Sequence, residues 1–183
     1  LDEIAAIYKD PLVAKQAAKE ISDQSAPELS ERVSKFALGL AKNPPSQKRL
    51  KLVDELLMKI HAVDTQVRIF KSSTGSMVVA MNDGNPAFSE KSFVADLEQQ
   101  AEAMRPTFLS DLRVGVLYST KDLSDAELKK YVKSFTGSKH ITELLEVYES
   151  AVTADLQSSA VRFAWGLRKL QVNCEDGACD GQK

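Results

Sequence analysis

The only two thiols of the chain stand close together near its end. Cys174 and Cys179 are separated by four residues in a polar, acidic segment. A structural thiol is usually buried, whereas this segment lacks the apolar pattern that would bury one. Two close thiols on a polar tail favour a disulfide formed in an oxidising compartment. Two free thiols on the tail are the alternative interpretation.

A metal loop is a second interpretation of the same segment, because thiolates and carboxylates both bind metals. Zinc sites usually take four ligands from a formed scaffold, and no histidine lies near Cys174 or Cys179 in sequence. Residues 82–85 (Asn-Asp-Gly-Asn) resemble a fragment of a calcium loop, but the acidic residue that should close the loop is not in place. We therefore favour the disulfide and assign no metal or cofactor.

Acid–base chemistry would have to come from two histidines and a row of glutamates. His61 and His140 have no second histidine or acid in a recognised ligand spacing. Glu143, Glu146 and Glu149 recur every three residues, which is typical of the solvated face of an amphipathic helix. The nucleophile-elbow motif and a glycine-rich phosphate loop are both absent from the sequence. We assign no catalytic residue, and this favours a non-enzymatic role.

The elements that must position these residues are helices. Glycine (8) and proline (6) are sparse, and apolar residues recur every three or four positions. The two longest helices are predicted around residues 53–70 and 141–170, and no pair of strands is predicted. The sequence therefore predicts an all-α bundle of six to eight helices.

Several helix starts have local signals. Asp10 and Pro11 have the residue types of an N-cap and a first helical position. Ser25 and Glu28 have the spacing of a capping box, and Ser89 is a further predicted cap. A helix break is predicted at residues 72–75 (Ser-Ser-Thr-Gly).

The most specific local signal precedes a helix predicted to reach about residue 135. Ser124 and Glu127 have capping-box spacing, and Leu123 and Leu128 occupy the hydrophobic-staple positions around them. Gly137 could supply the left-handed residue that follows this helix.

A similarity at a fixed offset of 62 indicates an internal repeat. Residues 71–76 and 133–138 match at five of six positions, and Pro44 and Pro106 have the same offset. The predicted repeat covers residues 44–81 and 106–143, each a helix, a Ser/Thr-Gly break and a second apolar segment. Coincidence between two helix ends is the alternative. We predict one all-α domain over residues 1–172, built from two duplicated helical hairpins, and a polar tail over 173–183.

The segment 123–139 resembles the signature of the DUF2059 family, whose members are bacterial, mostly exported helical proteins without an assigned activity. The resemblance implies a periplasmic or other envelope setting and supplies no catalytic residue. Val132 and Phe135 depart from the family pattern, in which an aromatic and a proline are found. The matching positions are Leu123, Glu127, Leu128, Tyr131, Ser134, Gly137 and Lys139.

Charge and hydropathy exclude two classes of function. The net charge is −2 with both signs interspersed, so no basic stripe indicates nucleic-acid binding. No apolar run approaches the ~20 residues that span a bilayer. Because the chain begins with Leu1, we expect that a signal peptide has been removed and that the protein is periplasmic or secreted.

Surplus apolar residues indicate how such a protein would act. Leu144, Val147 and Val161 flank the main apolar stripe of the last helix, and residues 77–81 add an apolar segment. Trp165 is either a binding aromatic or, as we favour, a packing residue. We predict that the protein binds a protein or an apolar ligand through a surface between its helical hairpins and that it can self-associate as a homodimer. The alternative is a hydrolase or metal-dependent enzyme whose site has no sequence motif.

Overall fold

The described part of the protein is helical throughout. The computed structural model describes residues 9–135 and 139–175, and within these ranges it contains eight helices and no strand. This confirms the predicted all-α fold of six to eight helices. In chain order the helices are α1 (Pro11–Gln24), α2 (Leu29–Lys42), α3 (Gln47–Lys59), α4 (Ala62–Met81), α5 (Glu90–Ala103), α6 (Arg105–Ser119), α7 (Asp125–Ser134) and α8 (Lys139–Glu175).

Side-chain caps fix the starts of α1 and α5 as predicted. The Asp10 carboxylate accepts a hydrogen bond from the Leu12 N–H at 2.8 Å, and Pro11 follows it in the first turn. The hydroxyl of Ser89 accepts from the backbone of Ser92 at the start of α5. Such bonds satisfy N–H groups that have no partner within the helix.

The predicted capping box at Ser25 and Glu28 is wrong. Ser25 lies at the end of α1, where its hydroxyl donates to the Ile21 carbonyl at 3.0 Å. Glu28 is the N-cap of α2 and makes no side-chain capping bond. A serine that follows a helix can donate to the preceding turn instead of capping the next helix. Ser25 does so, and its hydroxyl is therefore not used to cap α2.

The predicted long helix over residues 53–70 is two helices. Helix α3 ends at Lys59 and α4 begins at Ala62, and His61 between them has a left-handed φ of 49°. The predicted break at residues 72–75 is also wrong, because α4 continues through them. The Ser73 hydroxyl donates to the Ile69 carbonyl one turn earlier, at 2.8 Å, so the helix accommodates the serine.

The two predicted repeats differ at the motif that suggested them. In the first copy, residues 72–75 lie inside α4. In the second copy, α7 ends at Ser134, which corresponds to Ser72 at the offset of 62. Residues 136–138 of the second motif lie outside the described residues. The expected break is therefore missing from the first copy, and the duplication remains a prediction.

The chain forms two compact units, each described here by itself. Unit 1 contains Leu1–Val63 and Pro106–Glu146, and unit 2 contains Asp64–Arg105 and Val147–Lys183. In unit 1, α1 and α3 pack against α7. The prediction of one domain over residues 1–172 stays a prediction. The buried cluster of unit 1 consists of Val13, Leu52, Val53, Leu56, Leu57, Leu117, Leu123, Leu128, Tyr131 and Val132.

Three polar side chains hold the loop between α6 and α7 within unit 1. Gln16 and Lys19 of α1 donate to the Ser119 carbonyl at 2.9 and 2.7 Å. Arg49 of α3 donates to the carbonyls of Thr120 and Leu123. Because these bonds satisfy carbonyls in the last residue of α6 and in the loop after it, the loop is fixed where the chain enters the core.

Candidate functional site

Helix α8 concentrates large exposed apolar side chains. Four of them lie along it, with exposed fractions of 66% for Val147, 37% for Leu156, 58% for Phe163 and 56% for Trp165. We call these four residues the α8 apolar surface. Single exposed apolar side chains are normal on a protein surface, but α8 carries four, whereas no other described helix carries more than one.

Helical geometry separates this surface into two edges. Val147 and Trp165 are eighteen positions apart, which is about five turns, so they lie in line along the helix. Leu156 and Phe163 lie in line with each other on a different side. Ala164, between the two edges, is fully buried. The helix therefore packs through a narrow strip and exposes an apolar edge on either side of it.

Of the residues that the sequence assigned to a binding surface, Val147 is exposed, Val161 is half-buried, and the side chain of Leu144 lies outside the described residues. Within residues 77–81 only Met81 is exposed.

The predicted apolar stripe of the last helix includes Leu156, Phe163 and Leu167, of which Leu156 and Phe163 are exposed and Leu167 is half-buried. Trp165 is more than half exposed, so the packing interpretation favoured for it is wrong. Periodicity indicates that a face is apolar, and exposure depends on whether another element covers that face.

The segment that resembles DUF2059 lies at the core of unit 1. Leu123, Leu128 and Tyr131 are buried, and the Ser134 hydroxyl donates to the Tyr131 carbonyl at 2.6 Å. Phe135 contacts the Tyr131 ring edge-on, with centroids 5.1 Å apart. In the described residues, these positions therefore determine how α7 packs. Gly137 and the side chain of Lys139 lie outside the described residues.

The capping box predicted in this segment is confirmed. The Ser124 hydroxyl accepts from the Glu127 N–H, and the Glu127 carboxylate accepts from the Ser124 N–H. The Ser124 hydroxyl also donates to the Glu127 carboxylate. The hydrogen bonds that this carboxylate accepts lower the pKa of Glu127, with the Ser124 hydroxyl as the largest cause and its backbone N–H next. The perturbed carboxylate therefore has a structural explanation.

The residues considered for catalysis do not assemble into a described site. His61 occupies the break between α3 and α4, while the side chains of His140 and Glu149 lie outside the described residues. Glu143 and Glu146 are exposed, as a solvated helix face would be. Within the described ranges, no three His, Cys, Asp or Glu side chains are placed to hold a metal ion.

The predicted disulfide lies outside what the structure describes. Helix α8 reaches Glu175, so the backbone of Cys174 is in its last turn. The Cys174 side chain and all of Cys179 lie outside the described residues. The disulfide therefore remains a prediction.

Ion pairs account for the perturbed arginines. Arg113 of α6 forms two hydrogen bonds with the Asp54 carboxylate of α3, at 2.6 and 2.9 Å, and these raise the Arg113 pKa. Within unit 2, hydrogen bonds to Glu102 and then Asp64 raise the pKa of Arg105. Each arginine joins its own helix to another through ion pairing, so the raised pKa of each has a structural explanation.

A cluster in unit 1 that the sequence did not predict surrounds Tyr118. Its ring contacts Phe36 edge-on with centroids 5.5 Å apart, and the Lys121 ammonium lies 3.9 Å from the ring centroid. The Tyr118 hydroxyl is buried and has no hydrogen-bond partner among the described residues. Cation–π contacts of this kind stabilise a loop beside an aromatic, so we assign the cluster to structure.

Two further findings bear on function. In the portion of the chain that is described, no helix has the length and apolar character needed to cross a membrane. Comparison of the chain with protein-family models, with curated proteins and with solved structures finds no match. Function is therefore argued from the α8 apolar surface itself.

Proposed function

We propose that this protein acts by binding a protein or an apolar ligand through the α8 apolar surface, and not by catalysis. The observation that carries the proposal is the exposure of Phe163 and Trp165, each more than half accessible on one helix. Aromatic side chains are enriched among the residues that dominate binding energy. A partner that covers them would remove their apolar area from water.

Covering either aromatic would contribute substantially to binding, and further contacts would have to offset the cost of association. An aromatic side chain buries 150–250 Å² in total, so covering the exposed half of one contributes about 2–3 kcal/mol. Phe163 and Trp165 lie on different edges of α8, so each makes this contribution to the partner that covers its own edge, before the costs of association. The exposed part of Val147 adds to this on the edge that carries Trp165.

We also propose a periplasmic or secreted setting. The support comes from sequence: the segment 123–139 resembles an exported family, and Cys174 and Cys179 stand close together in a polar tail. An oxidising compartment would allow the two thiols to pair. Fractionation of the cells that produce the protein, with marker enzymes for each compartment, tests this, and recovery with the cytoplasmic marker would contradict it.

The binding function is tested by comparing three apolar-to-polar variants. Phe163→Ser and Trp165→Ser each remove the aromatic from one edge of the α8 apolar surface, whereas Leu38→Ser alters a side chain on α2 that is 72% exposed. Immobilised wild-type and variant proteins are incubated with envelope extract and, separately, with phospholipid vesicles, and the bound material is quantified. We expect Phe163→Ser to lose most of the capture and Leu38→Ser to retain it.

Two results would contradict the proposal. Capture that is equal for wild type, Phe163→Ser, Trp165→Ser and Leu38→Ser would show that neither edge of the α8 apolar surface is the binding site. Turnover of a substrate in a broad hydrolase screen, by protein that captures nothing, would instead favour the enzyme alternative. The single tryptophan gives a further readout, since a partner that covers Trp165 should shift its emission to shorter wavelength.

A further inference from the structure

One edge of α8 has the spacing of a helix-pairing seam. Its positions follow one another in steps of four, three, four, three and four, the pattern by which one helix packs along another. All are exposed except Val161, which is half-buried. The seam residues are Val147, Ala151, Ala154, Ser158, Val161 and Trp165.

The sizes of the seam residues favour antiparallel pairing of α8 with a second α8. In the antiparallel register that brings Asp155 of one copy to Arg162 of the other, positions whose numbers sum to 319 face each other across the interface, and the paired stretch of the seam runs from Ala154 to Trp165. Trp165 of each copy then lies against Ala154 of the other, and Val161 lies against Ser158. Parallel pairing would place Trp165 against Trp165 and Ala154 against Ala154, leaving one layer crowded and another with a gap.

The charges beside the seam favour the same arrangement. Asp155 and Arg162 are both exposed, and each directly follows a seam residue. In the antiparallel pair, Asp155 of one copy lies opposite Arg162 of the other, and the symmetry repeats the ion pair. In a parallel pair, Asp155 would instead lie opposite Ser150 and Arg162 opposite Gln157, so neither ion pair forms.

We propose that the partner for this edge is a second copy of the chain, paired antiparallel along α8 through Trp165, Ala154, Asp155 and Arg162. The proposal rests on the proposed binding function and names one occupant of the surface. The centre of the seam is made of small side chains, so the interface is narrow, and the dimer is weak and concentration-dependent. Phe163 lies away from the seam and stays available to a different partner.

Charge reversal gives a test that is specific for this arrangement. In the Asp155→Arg protein, and separately in the Arg162→Asp protein, like charges face each other twice across the dimer. We expect each to self-associate about tenfold or more weakly than wild type in sedimentation velocity. An equimolar mixture of the two variants should recover association, because each copy then meets the opposite charge.

A matched control separates this effect from a change of net charge. Lys129→Asp alters the net charge by the same amount as Arg162→Asp, at an exposed position on α7, and should associate like wild type. The far-UV circular dichroism of every variant should match that of wild type. Wild type that stays monomeric at its highest soluble concentration, or a variant mixture that does not recover association, would overturn the antiparallel dimer.

Sedimentation tests the antiparallel dimer and capture tests the wider binding function, so failure of one proposal can be distinguished from failure of the other. Monomeric wild type whose envelope or vesicle capture still depends on Phe163 would overturn the dimer alone. A dimer that responds to the charge reversals but captures nothing would support the self-pairing and remove the wider binding function. Where wild type dimerises, Trp165→Ala should weaken its self-association, because it removes the largest seam residue.

Discussion

Ser124 and Glu127 cap helix α7 by bonding to each other's backbone. The Glu127 N–H donates to the Ser124 hydroxyl oxygen at 3.3 Å, and the Ser124 N–H donates to the Glu127 carboxylate at 2.8 Å. The Ser124 hydroxyl also donates to that carboxylate, at 2.6 Å. Leu123 and Leu128, on either side, are buried in unit 1. The cap therefore fixes the start of α7 where the chain joins the core.

Loss of this cap should lower stability measurably. We expect Ser124→Ala to reduce the free energy of unfolding by about 1 kcal/mol, because an N-cap hydroxyl is lost. Ser34→Ala is the control, since Ser34 is exposed within α2 and alanine is a better helix former. Urea unfolding followed by circular dichroism measures both. Equal stability of wild type and Ser124→Ala would contradict the role of the cap.

The same cap should make stability depend on pH in acid. The folded pKa of Glu127 is lowered, chiefly by the Ser124 hydroxyl, so its stabilisation is fully present above the ordinary glutamate pKa of about 4.3. That stabilisation is lost as the pH falls through the lower folded pKa. The stability difference between wild type and Ser124→Ala should therefore shrink between about pH 6 and pH 3. A difference that stays constant over this range would contradict the assignment.

Arg49 should be one of the most sensitive polar residues of unit 1. Its side chain is only 15% exposed and donates to two loop carbonyls and to Asp125. Arg49→Met keeps the aliphatic stem and leaves the carbonyls unpaired, so we expect a loss of about 2–3 kcal/mol. Lys48→Met, at a side chain 72% exposed, should change stability by less than about 0.5 kcal/mol. Similar losses from the two variants would contradict this role for Arg49.

Local signals made some elements predictable from sequence. The start of α1 at Asp10 and Pro11 and the start of α7 at Ser124 depend on bonds within one turn of the chain. Helix α2 ends at Lys42, and the next residue, Asn43, precedes two consecutive prolines, which disfavour a helix at that position. The burial of Leu128 follows from its position in the staple. Each of these features depends on residues a few positions apart in the chain, so the sequence alone is enough to predict it.

The elements that were missed depend on contacts or on backbone geometry. Apolar periodicity continues from Leu57 through Ile60 to Val67, so it does not reveal that the helix breaks at His61. Gly75 has a low helix propensity, but one glycine costs only about 1 kcal/mol and tertiary packing can offset it. The exposure of Trp165 depends on which elements cover α8, and periodicity carries no information about that.

The disulfide prediction can be checked without a structure. We expect Cys174 and Cys179 to form an intrachain disulfide when the protein is oxidised, so reduction should add the mass of two hydrogens to the intact protein. The closed loop is short, so the effect on the free energy of unfolding should be small. Cys174→Ser, which cannot form this bond, should show no change in monomer mass on reduction. Wild-type protein that also shows none after oxidation would contradict the prediction.

The break between α3 and α4 yields a prediction about His61. Its φ of 49° is left-handed, a region that costs most residues about 1–2 kcal/mol and that is least tolerated by β-branched ones. His61→Val should therefore be the least stable variant, and His61→Gly should equal or exceed wild type by up to about 1 kcal/mol. His61→Asn is the control, because asparagine tolerates this conformation while lacking the imidazole, so it measures the loss of the histidine's own contacts. Thermal unfolding of wild type and the three variants measures the order of their stabilities. If His61→Val were as stable as His61→Gly, the left-handed residue would be absent in solution, and α3 and α4 would form the single helix that periodicity predicts.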